Sequence, residues 1–246
     1  MATRFQLAAP VWLFSLSLQV QLKLRSVVAE SVAVLRGHPQ FDPYISGMPD
    51  PEKLDPIARF RGVLADAERV DRTMLPEPTA FALATVGADG RPAVRMLLLK
   101  GVDDGAFVFY TNLESRKGRE LKANPVAAMC FHWQPLEIQV RIEGDVAAVG
   151  PSLADAYFAS RARGSQLGAW ASTQSRPMES VGDLERRLAE FERRFEGSAV
   201  PRPPHWSGFA LTPHRIEFWK NRMNRLHERH LYERSGGVWS VTTLYP

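Results

Sequence analysis

The strongest constraint on the fold of this chain is a series of short β-prone segments separated by turn residues. The segments "AFALATV" and "AVRMLLLK" flank "GADGRP", in which Asp89-Gly90 is a typical pair for a hairpin turn. The segments "AFVFYTN", "VAAMCFHW" and "LEIQVRIEGDVAAV" follow, each bounded by Gly, Asp, Asn or Pro. Five strands within about seventy residues, with one short helix among them, predict a mainly β protein of the α+β class, an antiparallel Greek-key barrel with peripheral helices.

The short helix is predicted within "FYTNLESRKGRELKANP", where Ser115 is a suitable N-cap and Asn124-Pro125 a suitable stop. The helix would begin with Arg116 and Lys117, although the helix macrodipole disfavours a cation at its N-terminus by about 0.3–1 kcal/mol. Two interpretations remain open. The pair binds an anion such as phosphate at the free N–H groups of the first turn, or both side chains are solvated surface charges.

A helical block and further strands are predicted after the barrel segments. The block runs from Ser152 to Gly197, and "SGFALTP", "RIEFWKN" and "NRLHERHLYER" are predicted strands. Within the block, Tyr157, Arg161 and Ser165 are four residues apart and would share one face if the helix is continuous. Arginine and hydroxyl donors on one face suit a phosphate.

Three potential cations alternate within "RLHERH". Arg225, His227 and Arg229 fall on one strand face by the two-residue period. Either this face meets an anionic group, or it is an exposed edge whose charges oppose aggregation.

Composition narrows the classes of function. The net charge of +4 permits nucleic-acid or membrane-surface binding, but Lys and Arg are interspersed with Asp and Glu, so we predict neither partner. No group of Cys and His has zinc-like spacing, and we predict no metal site. The single cysteine, Cys130, excludes an intramolecular disulfide framework and favours a cytoplasmic location. Residues 1–50, which end in a stretch rich in Pro, Gly and Asp, are predicted to be an N-terminal extension or linker of uncertain order.

Eight motifs, in order and spacing, resemble one family. They are "RMLLLK", "FVFYTNLESRKG", "ANPVAAMCFHW", "QVRIEG", "YFASRARGSQLGAWASTQS", "VPRPPHW", "IEFWKNRMNRLHER" and a closing "LYP". The sequence from about Asp55 to Pro246 is similar in this way to the pyridoxine (pyridoxamine) 5'-phosphate oxidases of vitamin B6 metabolism. The resemblance implies that residues 51–246 form an FMN-binding split β-barrel, which works as a homodimer with two flavin sites between the subunits.

The resemblance also implies a set of site residues. The FMN contacts would be Arg95, Met96, Leu97, Leu98, Leu99, Lys100, Tyr110, Thr111, Arg116, Lys117, Gln139, Gln174, Ser175, Trp219 and Arg229. Substrate contacts would be Lys100, Tyr157, Arg161 and Ser165 around the substrate phosphate, with Arg225 and His227 as catalytic residues beside the pyridine ring.

The implied reaction oxidises pyridoxamine or pyridoxine 5'-phosphate to pyridoxal 5'-phosphate, with FMN as the redox group and O2 as the acceptor, and gives H2O2. Three alternatives remain at this point. The chain could be a non-catalytic carrier of FMN or pyridoxal phosphate, or a flavin oxidase of the phenazine-biosynthesis type, which shares the barrel and the "LHER" ending. A nucleic-acid binder would need basic and aromatic residues interleaved along a groove.

Overall fold

The computed structural model describes residues 55–246, so the predicted extension over residues 1–50 lies outside the described part of the chain. The described residues form five α-helices and nine β-strands. The helices are α1 (Pro56–Arg69), α2 (Arg116–Ala123), α3 (Pro151–Ser160), α4 (Arg163–Ala171) and α5 (Asp183–Arg194). The strands are β1 (Ala80–Val86), β2 (Pro92–Leu98), β3 (Gly101–Asp103), β4 (Ala106–Asn112), β5 (Val126–Trp133), β6 (Ile138–Ala148), β7 (Trp206–Lys220), β8 (Glu228–Ser235) and β9 (Val238–Thr243).

All nine strands belong to one curled antiparallel sheet. The order is β2-β1-β5-β6-β7-β4-β3, and β8 joins β7 to β9. Strand β7 is 15 residues long and pairs with β6 on one side, whereas on the other side its first half pairs with β4 and its second half with β8. The predicted antiparallel β architecture with peripheral helices is confirmed.

Strand β7 corrects one sequence prediction. The segments "SGFALTP" and "RIEFWKN" were expected to be separate strands, but they are two halves of β7 joined at a β-bulge. Gly144 of β6 pairs with Pro213 and Glu143 pairs with Arg215, so His214 is the extra residue. Pro213 is tolerated at this bulge because the ladder is interrupted there.

The core lies between one face of the sheet and α1. Phe60 of α1 is fully buried, and its ring lies 4.8 Å from that of Phe107, 5.0 Å from Phe131 and 5.9 Å from Trp133. Asp55 caps α1 by accepting hydrogen bonds from two backbone amides. Truncating a ring packed in this way costs about 3–5 kcal/mol, so α1 anchors the barrel.

A second apolar cluster fastens the helices α3 and α4 to the start of β7. It consists of Phe158, Leu167, Phe195, Val200 and Trp206. Its position fixes the helices beside the first half of β7. None of the helices in residues 55–246 is both long and apolar enough to cross a bilayer.

The predicted helical block from Ser152 to Gly197 contains three helices. The backbone is extended at Arg161 (φ −72°, ψ 147°) between α3 and α4, and again at Ser172 (φ −88°, ψ 117°) after α4. One further prediction is wrong in detail. The last predicted strand, expected from residue 224, begins at Glu228. Strand β9 was not predicted, although the Gly236-Gly237 turn before it, with both φ values positive, is a hairpin signal.

Candidate active site

A cavity of about 750 Å³ opens among β2, β4, α3 and α4. This volume is within the range of sites that hold small molecules. Ten of the predicted site residues line it: Met96, Leu97, Leu98, Lys100, Tyr110, Thr111, Tyr157, Arg161, Ser165 and Gln174. Lining residues that were not predicted are Asn112, Ala162, Gly168, Ala169, Ser172 and Trp206.

Lys117, like Arg95 and Arg116, does not itself line the cavity, but helix α2 places its buried ammonium group against two residues that do. The helix begins where the sequence predicted, with Ser115 as the N-cap. Lys117 is 7% exposed, and its Nζ donates to Gln174 Oε1 at 2.9 Å, Thr111 Oγ1 at 3.2 Å and Ser115 Oγ at 3.3 Å. All three acceptors are uncharged oxygens, and burial, aided by the charge of Arg95, lowers the pKa of Lys117. An anion at this wall would therefore stabilise the ammonium group.

Two arginines join Lys117 around a buried carboxylate. Glu120 Oε2 accepts from Arg95 Nη2 at 3.0 Å, and Glu120 Oε1 accepts from Arg116 Nε at 2.7 Å. We call Arg95, Arg116, Lys117 and Glu120 the Lys117 group. Its three cations and one carboxylate leave an excess of two positive charges.

A second cation at the cavity is Arg161. Its Nη1 is buried and has no hydrogen-bond partner among the described residues. The guanidinium carbon lies 4.8 Å from the centre of the Trp206 ring and 5.6 Å from that of Phe158, and burial lowers the pKa of Arg161. An unpaired buried donor is costly, so Arg161 is prepared to bind an acceptor in the cavity.

Three stacked aromatic rings lie beside Arg161, and one of them, Trp206, contacts its guanidinium. Tyr110 stacks on Tyr157 at 4.0 Å between ring centres and on Trp206 at 5.3 Å. Trp206 was not singled out as a site residue, although it ends the "VPRPPHW" motif that the resemblance used. The single helical face expected for Tyr157, Arg161 and Ser165 depended on a continuous helix, and the chain leaves the helix at Arg161. The three residues still line one cavity, since α3 and α4 turn around it.

Three predicted FMN contacts lie elsewhere in the sheet. Gln139 of β6, Trp219 of β7 and Arg229 of β8 are direct neighbours across the three strands. Trp219 is eleven residues beyond Gly208, the β7 partner of Tyr110, which is roughly 35 Å along an extended strand. We call Gln139, Trp219 and Arg229, with Arg225 and His227, the far-strand group; its members do not line the cavity of their own chain.

Within the far-strand group, Arg229 is held by a buried carboxylate. Glu217, 4% exposed, accepts from Arg229 Nε at 2.8 Å and also forms an ion pair with Arg141. Arg229 Nη1 donates to the carbonyl of Tyr245 at 2.9 Å.

The shared strand face predicted for Arg225, His227 and Arg229 is wrong. Arg225 lies in a tight turn with φ +61°, directly after Asn224 with φ +56°, and His227 precedes β8. His227 Nδ1 accepts from the amide of Arg222 at 3.3 Å, and its ring lies 4.6 Å from that of Trp219. The turn, and not strand alternation, brings His227 to this end of β7.

The two remaining predicted FMN contacts, Leu99 and Ser175, lie in different environments. Leu99 is 3% exposed and belongs to the core, and its amide donates to the carbonyl of Thr79 at 2.9 Å. Ser175 has φ +69° and follows Gln174 at the cavity wall.

Comparison with known proteins identifies the family. A family model described as pyridoxamine 5'-phosphate oxidase matches residues 68–220, and one described as the pyridoxine 5'-phosphate oxidase C-terminal dimerisation region matches residues 206–246. The pyridoxine/pyridoxamine 5'-phosphate oxidase of Myxococcus xanthus (strain DK1622) is 56% identical over 192 residues, covering 78% of this chain and 92% of the relative. That of Gluconobacter oxydans (strain 621H) is 54% identical over 194 residues, covering 79% and 96%.

Solved structures agree with this result. PhzG from Burkholderia lata 383, in complex with tetrahydrophenazine-1-carboxylic acid, is 34% identical with a TM-score of 0.73, covering 81% of this chain and 98% of that chain. A pyridoxamine 5'-phosphate oxidase-related, FMN-binding protein from Nostoc punctiforme PCC 73102 shares the fold at 22% identity, with a TM-score of 0.63 and coverage of 78% and 99%. Because the first family model matches more than half of the chain and the relatives match over most of their length, the chain belongs to the pyridoxamine 5'-phosphate oxidase family.

Proposed function

We propose that this chain is an FMN-dependent oxidase that converts pyridoxamine 5'-phosphate and pyridoxine 5'-phosphate to pyridoxal 5'-phosphate. The amine reaction balances as R–CH2NH2 + O2 + H2O giving R–CHO + NH3 + H2O2, and the alcohol reaction as R–CH2OH + O2 giving R–CHO + H2O2. The observation that carries the proposal is one cavity with cations at two places: Arg161 lines it, and Lys117 of the Lys117 group hydrogen-bonds to Thr111 and Gln174, which line it. FMN and the substrate each carry one phosphate group, so two sets of cations are needed.

The Lys117 group fits the phosphate of FMN. A phosphate monoester carries about −1.5 to −2 charges at neutral pH, which matches the group's excess of two positive charges. Arg95, Arg116 and Lys117 would hold this phosphate by charge-assisted hydrogen bonds. FMN, when bound, supplies the redox chemistry, accepting a hydride equivalent from the substrate and passing two electrons to O2.

Arg161 fits the phosphate of the substrate. Its buried Nη1 needs an acceptor, and the flat rings of Trp206 and Phe158 hold the guanidinium in place. Lys100, Tyr157 and Ser165 line the same cavity and would add donors. Binding energy at this remote phosphate would fix the position of the reacting carbon, since positioning lowers the barrier of the chemical step.

The far-strand group would complete the cavity of a second subunit. Trp219, Arg225, His227 and Arg229 all fall within the region matched by the C-terminal dimerisation model, and Gln139 pairs with Trp219. We infer a homodimer in which each cavity receives this group from the partner chain. Arg225 and His227 would then orient the ring of the substrate and stabilise charge that develops at the reacting carbon.

A second candidate is oxidation of a reduced phenazine carboxylate, because the PhzG structure holds such a ligand. The identity to PhzG is 34%, against 54–56% to the pyridoxine/pyridoxamine 5'-phosphate oxidases. The oxidase of vitamin B6 phosphates is therefore the better-supported activity.

An anaerobic half-reaction tests the proposal. Protein loaded with FMN is mixed without oxygen with pyridoxamine 5'-phosphate, pyridoxine 5'-phosphate or tetrahydrophenazine-1-carboxylic acid, and the visible flavin absorption is followed. We expect bleaching by the two B6 phosphates, and on readmission of O2 one H2O2 per pyridoxal 5'-phosphate. Bleaching by the phenazine alone would favour the second candidate, and bound FMN that none of the three reduces would indicate a carrier.

A further inference from the structure

Glu120 places a negative charge within the cation cluster that we assign to the FMN phosphate. The residue is 8% exposed, and carboxylates are rarely buried unless they are paired. A carboxylate near a phosphate site repels the ligand, so its presence there needs a reason.

Both oxygens of Glu120 are used to hold other side chains. Oε1 accepts from Arg116 Nε at 2.7 Å, whereas Oε2 accepts from Arg95 Nη2 at 3.0 Å and Thr85 Oγ1 at 2.5 Å. Arg95 Nη1 donates in turn to Thr85 Oγ1 at 2.5 Å and to the Leu83 carbonyl at 3.3 Å. Glu120 thus joins α2 to β1 through Thr85 and to β2 through Arg95, and it holds Arg116 one turn away on α2.

The arrangement leaves donors for an anion. Arg116 gives only its Nε to Glu120, so both of its Nη groups remain for the two-point binding that phosphate favours. The side chain of Arg116 is 60% exposed and would otherwise sample many rotamers. Glu120 does not line the cavity, and each of its two carboxylate oxygens already accepts a hydrogen bond from one of the two arginines.

Glu120 is charged in the folded protein. Burial alone would raise the pKa of this carboxyl group, but hydrogen bonds from Thr85, Arg116 and Arg95 outweigh burial and lower it. The ion pairs are therefore present at neutral pH.

We propose that Glu120 is a positioning residue, which holds Arg95 and Arg116 in the orientation that binds the phosphate of FMN. The inference rests on the proposed function, because it takes FMN as the ligand. A purely structural role, in which Glu120 only fastens α2 to the sheet, makes a different prediction. Loss of that role would weaken every flavin equally, whereas loss of positioning would weaken only a flavin that carries a phosphate.

The test is equilibrium titration of the flavin-free protein with FMN and with riboflavin, which lacks the phosphate. We expect Glu120→Gln to raise the Kd of FMN by about tenfold, the effect of about one lost charge-assisted hydrogen bond. The Kd of riboflavin should stay within about twofold of the unaltered protein, because its contacts do not involve the two arginines.

Glu114→Gln is the matched control, since Glu114 is an exposed carboxylate just before the Ser115 cap. It removes the same charge without releasing an arginine, and we expect FMN binding to be unchanged or slightly tighter. Glu120→Asp keeps the charge but shortens the side chain; it should give a smaller, equally phosphate-selective loss, and it serves if Glu120→Gln does not fold.

Two results would overturn the inference while leaving the proposed function intact. One is unchanged or tighter FMN binding in the Glu120 variants, and the other is an equal loss for FMN and riboflavin. An unaltered protein that binds neither flavin would refute the proposed FMN-dependent function, and the role of Glu120 with it.

Discussion

Replacement of glycine by alanine should have opposite effects on stability at two helical positions, Gly62 and Gly118. A Cβ on Gly62 of α1 would meet no atom within 4 Å, whereas one on Gly118 of α2 would clash with the Leu113 carbonyl oxygen and lie 2.7 Å from that of Asn112. Both atoms belong to the backbone of the turn that leads from β4 into α2. Ordinary contact needs roughly 3.5 Å, so Gly118→Ala requires α2 to move away by about 1 Å.

The expected magnitudes follow from these distances. Gly62→Ala should raise the free energy of unfolding by about 0.5–1 kcal/mol, because alanine loses less backbone entropy in a helix. Gly118→Ala has the same local gain, but displacement of packed backbone costs about 1–3 kcal/mol or more, so the net change should be destabilising. It should also weaken FMN binding, because α2 carries Arg116 and Lys117, which we assign to the FMN phosphate.

Urea unfolding at one fixed protein concentration measures the first effect, and flavin titration measures the second. A fixed concentration is needed because the stability of a dimer depends on it. If Gly118→Ala proved as stable as Gly62→Ala, with unaltered FMN affinity, the close packing of α2 on the preceding turn would not be what positions the phosphate-binding cations.

Three other outcomes are expected. Lys117→Met should raise the Kd of FMN by about tenfold or more in a fluorescence titration, because a buried charge-assisted donor is lost. An unchanged Kd would show that Lys117 does not bind the phosphate of FMN. Arg161→Ala should raise mainly the KM for pyridoxamine 5'-phosphate, whereas His227→Ala should lower kcat, in steady-state assays at equal flavin content; the reverse pattern would contradict the assigned positions. The pKa of Glu217 is lowered, because hydrogen bonds from two arginines outweigh the effect of burial. The contribution of ionised Glu217 to the free energy of unfolding is therefore complete above about pH 4.5 and is lost as the pH falls. Urea midpoints should therefore depend less on pH in this acidic range for Glu217→Gln; an unchanged dependence would show that the ion pairs contribute little.

Local signals in the sequence predicted local structure well. Ser115 and Asn124 marked the ends of α2 because capping is decided within a few residues. Asp89-Gly90 marked the first hairpin, where Gly90 has φ +75°. Ten cavity residues were expected from the resemblance, which carries information about the fold as a whole.

Features that depend on distant contacts were missed or misread. Glu120 looked like an ordinary helical residue, since its partners Arg95 and Thr85 lie 25 and 35 residues away in sequence. The turn at Asn224 and Arg225 has two positive φ values, although neither residue is a glycine. The two-residue period therefore predicted a strand that begins too early. In β7, two strands were predicted instead of one, because the bulge at His214 that joins the two halves depends on pairing with Glu143 and Gly144 of β6, which the sequence of β7 alone does not show.

If each cavity receives the far-strand group of the partner chain, as proposed, the separation of the two within one chain has a genetic consequence. A chain with Lys117 substituted and a chain with Arg229 substituted would each form inactive homodimers. Every cavity would then lack either a working Lys117 group or a working far-strand group. A mixed dimer would instead contain one cavity with both halves intact and one with both defective. Random pairing of equal amounts gives about one half mixed dimers, so about one quarter of all cavities would be whole. Two recessive alleles of this kind would complement each other in one cell, although neither encodes a working enzyme.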